Sequence, residues 1–127
     1  ARLTYAFANA DVPKVTVVVG KANGTAGLTM NSKSIGADMV FAWPNAEIGM
    51  MDAKSAAKIM YEGSDAATIN EKAAEYATLQ NNVTSAARRG YVDTIIEPED
   101  TRKYVIGAFE MLFTKSEDRP AKKHGTV

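Results

Sequence analysis

A run of β-branched residues at positions 15–19, Val-Thr-Val-Val-Val, constrains the fold of this chain more than any other stretch. Branching at Cβ restricts χ1 and suits the pleated backbone, so we expect a strand over residues 14–19. Because both faces of this strand are apolar, we expect it to be covered on both sides, as strands in parallel sheets are. The strand is therefore expected at the centre of the fold.

Three glycines follow this strand directly: Gly20, Gly24 and Gly27. Glycine relaxes the backbone where other residues are strained, and a turn of this kind can direct consecutive N–H groups at one point. We expect a tight turn over residues 20–27, with a helix starting near Ala26 whose amino end carries free N–H donors. Such a turn suits an anion or an oxyanion. A tight strand-to-helix turn that binds nothing is the alternative that the spacing leaves open.

Strand and helix patterns alternate along the rest of the chain. The spacing predicts helices over residues 2–10, 53–61, 70–81 and 84–89 and from the turn at 97–100 to about 113, and strands over 38–43, 46–50 and 91–96. Asp52 and Asn70 are expected to be N-caps, and Gly90 a left-handed helix end. No internal repeat is evident. Strands separated by helices predict an α/β fold.

The composition narrows the choice of partners and compartment. The 127 residues carry 15 basic and 15 acidic side chains and no cysteine. A net charge of zero gives no reason to expect nucleic acid or acidic lipid as a partner, and the lack of cysteine excludes disulfides and thiol chemistry. No apolar run approaches the roughly 18 residues of a membrane span, so we expect a cytoplasmic protein without direct membrane insertion. Since it begins without methionine, we also expect a piece of a longer protein.

Few side chains offer nucleophilic, acid–base or metal chemistry. His124 has no serine or cysteine nucleophile placed against it, so we interpret it as a solvated residue of a polar tail rather than a catalytic base. Asp38, Glu47 and Asp52 fall on different predicted elements without ligand spacing, so no metal site is predicted. Residues 20–24 also lack the lysine followed by serine or threonine that a P-loop requires. The glycine turn remains the candidate site, through stabilisation of a negative oxygen by backbone N–H groups.

Three separated motifs resemble the C-terminal half of the carboxyltransferase subunits of biotin-dependent acyl-CoA carboxylases and decarboxylases. The first is VPKVT at residues 12–16 together with GKANGTAGLTMNSK at 20–33. The second is GADMVFAWPNAEIGMM at residues 36–51, and the third is AARRGYVDTIIEP at 86–98 with Thr101 and Arg102. The likeness extends over essentially the whole chain, which corresponds to only part of a family subunit.

This resemblance implies a crotonase-type fold, in which stacked ββα units form a spiral, here as a partial domain. Residues 1–114 would belong to the C-terminal carboxyltransferase subdomain, and residues 115–127 would be a polar C-terminal arm. The family implies that the N-terminal half of the same subunit holds the acyl-CoA, while the C-terminal half receives biotin from a carrier protein. Its active site lies between halves of neighbouring subunits, so a homo-oligomer is expected.

The resemblance also implies roles for residues of the glycine turn. The backbone N–H groups of Thr25 and Ala26 would be the catalytic donors that face the ureido oxygen of biotin, and Gly24, Thr25, Ala26 and Asp52 would form the biotin site. Four of the family's residues differ here. Asn23 stands where the family has an aromatic residue and Thr25 where it has a second glycine, while Asp52 and Ser55 stand where it has two glycines after the second motif.

The function that the resemblance implies is transfer of a carboxyl group between an acyl-CoA and biotin, with this chain alone inactive. A non-catalytic assembly module derived from the same fold is the alternative. A crotonase-like acyl-CoA hydratase or isomerase is a third possibility, but the chain lacks a candidate catalytic glutamate in the expected context. Whether carboxylation or decarboxylation is favoured, and which acyl group is used, stay open at this point.

Overall fold

The computed structural model describes residues 2–116 and 118. In this part of the chain the strands are Val15–Val18 (β1), Lys21–Asn23 (β2), Met39–Ala42 (β3), Glu47–Gly49 (β4) and Thr94–Ile95 (β5). The α-helices are Arg2–Asn9 (α1), Gly24–Thr29 (α2), Ala53–Met60 (α3), Ala66–Tyr76 (α4), Val83–Arg88 (α5) and Thr101–Met111 (α6). Short 3-10 helices lie at Lys33–Ile35 and Pro98–Asp100, and a π-helix, Ala77–Asn81, continues α4. The α/β fold expected from the sequence is confirmed.

The five strands form two parallel sheets. The first sheet has the order β1-β3-β5, and β2 pairs with β4 in the second. Val15 is opposite Met39 in the first sheet, and Lys21 is opposite Glu47 in the second. Helices separate these partners in sequence, as crossover connections between parallel strands require.

The chain repeats one unit of two strands and a helix. β1, β2 and α2 form the first unit, and β3, β4 and α3 form the second. Val19 and Gly20 connect the strands of the first unit, whereas residues 43–46 connect those of the second. These are the ββα units expected of a crotonase-type fold. No repeat is evident in the sequence, because this repeat lies in the course of the backbone and not in the side chains.

The glycine-rich segment is not a single turn. Lys21–Asn23 is extended and pairs with Glu47–Gly49, and α2 begins at Gly24 rather than near Ala26. Lysine, alanine and asparagine are poor strand formers, so the pairing with β4 decides the conformation here rather than local propensity. The turn proper is the junction between Asn23 and Gly24.

The most deeply buried strand is β3. Val40 and Ala42 are 3% and 0% exposed and belong to a cluster with residues of α5, while Phe41, 2% exposed, packs with Ile96 and Ala108. Because successive side chains of a strand point to opposite faces, β3 contributes to the core on both sides. β1 is half-buried along its length. The strand covered on both sides is therefore β3, and the expectation placed on β1 was only partly met.

Short polar side chains cap the starts of α3 and α4. Asp52 accepts a hydrogen bond from the backbone N–H of Ser55 at 3.4 Å, as the sequence predicted for the start of α3. Asp65 caps α4, accepting from the N–H of Thr68 at 2.9 Å. Asn70 therefore lies inside α4, and its predicted capping role was wrong.

The segment expected to be a polar arm begins with a residue that contacts the domain. Lys115 Nζ donates to Asp38 Oδ2 at 2.7 Å and to the carbonyl of Val12 at 3.0 Å. The same carboxylate oxygen accepts from the backbone N–H of Lys14 at 2.9 Å. Asp38 thus joins the residue before β1 to Lys115, four residues beyond the end of α6. His124 lies outside the described residues, and its place in a solvated tail stays a prediction.

The charge of Asp38 should stabilise the fold at neutral pH. Partial burial acts to raise the pKa of Asp38, but hydrogen bonds from Lys115 and the backbone of Lys14 outweigh it and hold the pKa below its usual value. Such a carboxylate stabilises the fold above the unfolded-state pKa of about 3.9, and its contribution is lost as the pH falls through the folded-state pKa. Asp38→Asn is expected to lower the free energy of unfolding by about 1.5 kcal/mol at neutral pH, measured by urea unfolding.

The pH dependence separates this effect from a general loss of packing. The difference in stability between wild type and Asp38→Asn should shrink as the pH falls below about 4, because the wild-type carboxyl is then neutral too. Glu62→Gln, at an exposed position, serves as the control and should have little effect at either pH. A difference for Asp38→Asn that stays constant into the acid range would contradict the role of its charge.

Two glycines in open surroundings should respond in opposite ways to alanine. A Cβ added at Gly107, inside α6, or at Gly90, after α5, would meet nothing within 4 Å, but Gly90 has φ +86°. Gly107→Ala is expected to raise the free energy of unfolding by about 0.5–1 kcal/mol, because alanine restricts the unfolded chain and suits a helix. Gly90→Ala should lower it by about 1 kcal/mol through backbone strain. Thermal unfolding of the two variants checks the pair, and a shift of the same sign in both would contradict it.

Candidate functional site

An open cleft of about 910 Å³ lies where the two ββα units meet. Its walls are β1 with the loop to β2, the junction of β2 and α2, and the end of β4 with Met50; residues 32–34, Arg89 and Tyr91 complete the rim. Gly24, Thr25 and Ala26, three of the residues predicted from sequence, line this cleft together. The fourth, Asp52, is exposed and lies two residues beyond Met50, outside the lining.

The junction between Asn23 and Gly24 sets the direction of the first helical turn. Gly24 has φ +65°, a left-handed conformation that glycine adopts without strain. A Cβ at Gly24 would be 3.5 Å from the carbonyl oxygen of Met50, an ordinary contact, so the conformation rather than the space favours glycine. The N–H groups of Thr25 and Ala26 belong to the first turn of α2, where no helical acceptor is available to them. Both residues are exposed in the cleft.

Close contact between α2 and β2 fixes the position of this turn. A Cβ at Gly27 would lie 2.7 Å from the carbonyl carbon and 2.8 Å from the carbonyl oxygen of Ala22. Both are backbone atoms of β2, so only glycine allows this approach of helix and strand. Thr29 Oγ1 donates to the carbonyl of Thr25 one turn earlier, which adds a bond within the short helix. The glycine at position 27 therefore has a packing role.

The opposite wall consists of the end of β4 and the next residue, Met50. Met50 is 86% exposed and Met51 37% exposed, and Asp52 follows them as the cap of α3. The Asp52 carboxylate accepts from Ser55 N, so the residue expected to touch biotin is engaged at a helix start. Behind this wall lies Asn81, whose Nδ2 donates to the carbonyl of Met51 at 3.1 Å.

Cationic and aromatic side chains at the rim were not predicted as site residues. Lys33 Nζ lies 3.0 Å from Asp93 Oδ2, and Arg89 stands 5.9 Å from the centre of the Tyr91 ring. The guanidinium of Arg89 also donates to the carbonyl of Gln80 at 2.6 Å. Arg89 and Tyr91 flank Gly90 in the third motif, and that adjacency was the signal available in the sequence. These contacts hold α5 and the 3-10 helix Lys33–Ile35 at the edge of the cleft.

Residues 2–116 and 118 contain neither a candidate metal site nor a candidate membrane-spanning helix. No three histidine, cysteine, aspartate or glutamate side chains in this range come together as a possible metal site. None of the helices in this range has both the length and the apolar character needed to cross a membrane.

Comparison with known proteins places the fold in a family. The model of the carboxyl transferase domain matches residues 1–127. The chain is 50% identical to a putative propionyl-CoA carboxylase beta chain of Bacillus subtilis and 47% identical to the alpha subunit of methylmalonyl-CoA decarboxylase of Propionigenium modestum. Each match covers 100% of this chain and 26% of the relative. The chain therefore spans about a quarter of the length of these curated relatives.

A solved structure supports the same assignment. The crystal structure of transcarboxylase 12S, a hexamer with methylmalonyl-coenzyme A and methylmalonic acid bound, superposes with a TM-score of 0.92 at 46% sequence identity. The match covers 98% of this chain and 24% of that one. The ββα units described above are thus part of a larger crotonase-type carboxyltransferase architecture. This chain belongs to the carboxyl transferase domain family.

Proposed function

We propose that this chain is the part of an acyl-CoA carboxyltransferase that receives biotin, in an enzyme that moves a carboxyl group between an acyl-CoA and biotin. The observation that carries the proposal is the first turn of α2, where Thr25 and Ala26 follow a left-handed glycine and line the cleft. Family membership supports the reaction, since relatives carry names of carboxylases and decarboxylases acting on propionyl-CoA and methylmalonyl-CoA.

The residues around the cleft fit the ureido group of biotin. That group presents a carbonyl oxygen, which needs hydrogen-bond donors, on a compact ring that needs close approach to the backbone. Gly24, Gly27 and Gly49 place backbone rather than side chains at the junction and beside it. The Thr25 and Ala26 N–H groups supply two adjacent donors at this point. Asp52 is the weakest member of the proposed site, because its carboxylate is engaged in capping α3.

The proposed contribution of this chain is electrostatic. Biotin, when bound, carries the transferred carboxyl group on its ureido ring. The N–H groups of Thr25 and Ala26 stabilise negative charge on the ureido oxygen, and they do so without reorganising because α2 is fixed on β2 through Gly27. No nucleophilic side chain is needed for this role. Preorganised donors of this kind each contribute roughly 3 kcal/mol to a transition state.

Other parts of the enzyme are expected to complete the site. Several large apolar side chains at the cleft and on α6 are exposed, including Val19 at 52%, Met50 at 86% and Met111 at 75%. Surfaces of this kind are normally covered in the intact protein. We propose that the N-terminal half of the same subunit, holding the acyl-CoA, and further copies in a homo-oligomer cover them. A biotin carrier protein delivers biotin, and the cytoplasm is the proposed location.

Transfer assays on the full-length subunit test this proposal. Free biotin is incubated with malonyl-, methylmalonyl- or glutaconyl-CoA, and loss of the thioester's carboxyl group is followed by chromatography. Biotin-dependent loss from at least one thioester is the expected result, and reactions without biotin are the control. Failure with all three thioesters in a folded, oligomeric subunit would favour a non-catalytic assembly module.

A further inference from the structure

A buried asparagine supports the cleft from behind. Asn81 is the last residue of the π-helix and is 1% exposed. Its Nδ2 donates to the carbonyl of Met51, 30 residues earlier in the chain. Its Oδ1 is buried and accepts no hydrogen bond from the described residues. Burying a polar side chain without full hydrogen bonding lowers stability, so we expect Asn81 to have a role other than stabilising the fold.

The Asn81 amide packs directly against the backbone of Gly49. A Cβ at Gly49 would lie 2.0 Å from Asn81 Oδ1 and 2.7 Å from its Cγ. The same Cβ would lie 3.4 Å from Oδ1 of Asn23, the residue opposite Gly49 in the β2–β4 pairing. The Asn23 side chain makes no capping bond to α2, and its oxygen is likewise buried. Two amide oxygens therefore flank one glycine where both strands end.

These contacts continue to the junction that begins α2. Asn81 holds the residues on both sides of Met50, namely Gly49 by packing and Met51 by its hydrogen bond. The carbonyl oxygen of Met50 lies beside Gly24, 3.5 Å from where its Cβ would be. The position of the Met50 carbonyl thus depends on Asn81, and this carbonyl lies at contact distance from the left-handed glycine that begins α2.

We propose that Asn81 is a positioning residue for the cleft, which fixes the Gly49–Met51 backbone and through it the junction at Gly24. The proposal rests on the biotin-binding role proposed above for that junction. The π-helix explains how an asparagine so far along the chain reaches this place. Its wider turn at Ala77–Asn81 carries residue 81 inward, while Asn82 immediately begins α5 by accepting from the N–H of Ser85 at 2.7 Å.

Kinetics of the full-length subunit separate positioning from stability. Asn81→Ala should lower kcat/KM for free biotin about tenfold, since small displacements of a binding group reduce rates strongly, and should leave KM for the acyl-CoA unchanged. Asn82→Ala is the matched control, because it removes the cap of α5 without contacting the cleft. It should lower the melting temperature while leaving both kinetic parameters unchanged. Equal kinetic effects of the two variants would overturn the proposal.

A thermal double-mutant cycle tests the contact without any assay of activity. Gly49→Ala should lower the melting temperature by roughly 5 °C in the wild-type background, because the buried amide cannot move away. In the Asn81→Ala background the added methyl has room, so Gly49→Ala should lower the melting temperature much less. If the losses in melting temperature of the two single variants add up in the double variant, the proposed contact between residues 49 and 81 is wrong. If the wild type fails to transfer carboxyl groups but the cycle shows coupling, the proposed function fails and the packing stands; if Asn81→Ala does not fold, Asn81→Ser is used in both experiments.

Discussion

Replacing Thr25 by proline should lower the rate of carboxyl transfer to free biotin about a hundredfold, with the fold of the subunit retained. Proline removes the backbone N–H that we propose as one of the two donors to the ureido oxygen. The substitution is tolerable in structural terms, because proline suits the first turn of a helix, where its missing N–H has no helical acceptor. Steady-state kinetics with saturating acyl-CoA and varied biotin measure the effect.

Thr25→Ala is the matched control for this variant. It changes the side chain at the same exposed position but keeps the N–H group, so its transfer rate should stay close to that of the wild type. Circular dichroism and the oligomeric state of both variants establish that they fold alike. If Thr25→Pro is as active as Thr25→Ala, the N–H of Thr25 is not a donor in the reaction.

Replacing Gly27 by alanine should lower the free energy of unfolding by about 3 kcal/mol and reduce transfer activity as well. The added Cβ would lie 2.7 Å and 2.8 Å from backbone atoms of Ala22, so α2 has to move away from β2. Because Thr25 and Ala26 are carried by α2, this movement also displaces the proposed donors. Urea unfolding and the transfer assay report the two effects separately.

Gly20→Ala provides the comparison within the same cleft. A Cβ at Gly20 would meet nothing within 4 Å, and the residue does not have a positive φ. The free energy of unfolding of the Gly20→Ala variant should therefore differ from that of the wild type by less than about 0.5 kcal/mol. Comparable losses at Gly20 and Gly27 would mean that general sensitivity of the glycine-rich segment, and not contact with Ala22, determines the effect.

The sequence predicted the elements whose signals are local. The β-branched run of β1, the apolar β3 and the capping aspartate of α3 each depend on neighbouring residues, and each lies where it was expected. β2 escaped prediction as a strand because Lys21–Asn23 has poor strand propensity and extends only through pairing with β4. α4 begins after Asp65 rather than at Asn70, because the Asp65 carboxylate accepts from the N–H of Thr68 and the helix continues through Asn70.

The candidate site was predictable in part for the same reason. The glycines and the residues after them indicated a turn with free N–H groups, and Gly24, Thr25 and Ala26 line one cleft. Asn81 carried no such signal. A buried polar side chain looks like a surface residue in sequence, and only the approach of Gly49 from a distant strand gives it a role. Arg89 and Tyr91 flank Gly90 in the third motif, but their place at the rim depends on the packing of α5.

The parallel pairing of every strand also has a consequence for the order in which the chain acquires its structure during synthesis. Among the described residues, none of the strands pairs with its immediate neighbour in sequence, so each ladder forms only after a helix and a second strand have emerged. The carbonyl of Met51 then lacks its hydrogen-bond donor until Asn81, 30 residues later, has been synthesised. The cleft is therefore completed later than the strands that form its walls, and until then their apolar side chains depend on protection from other chains.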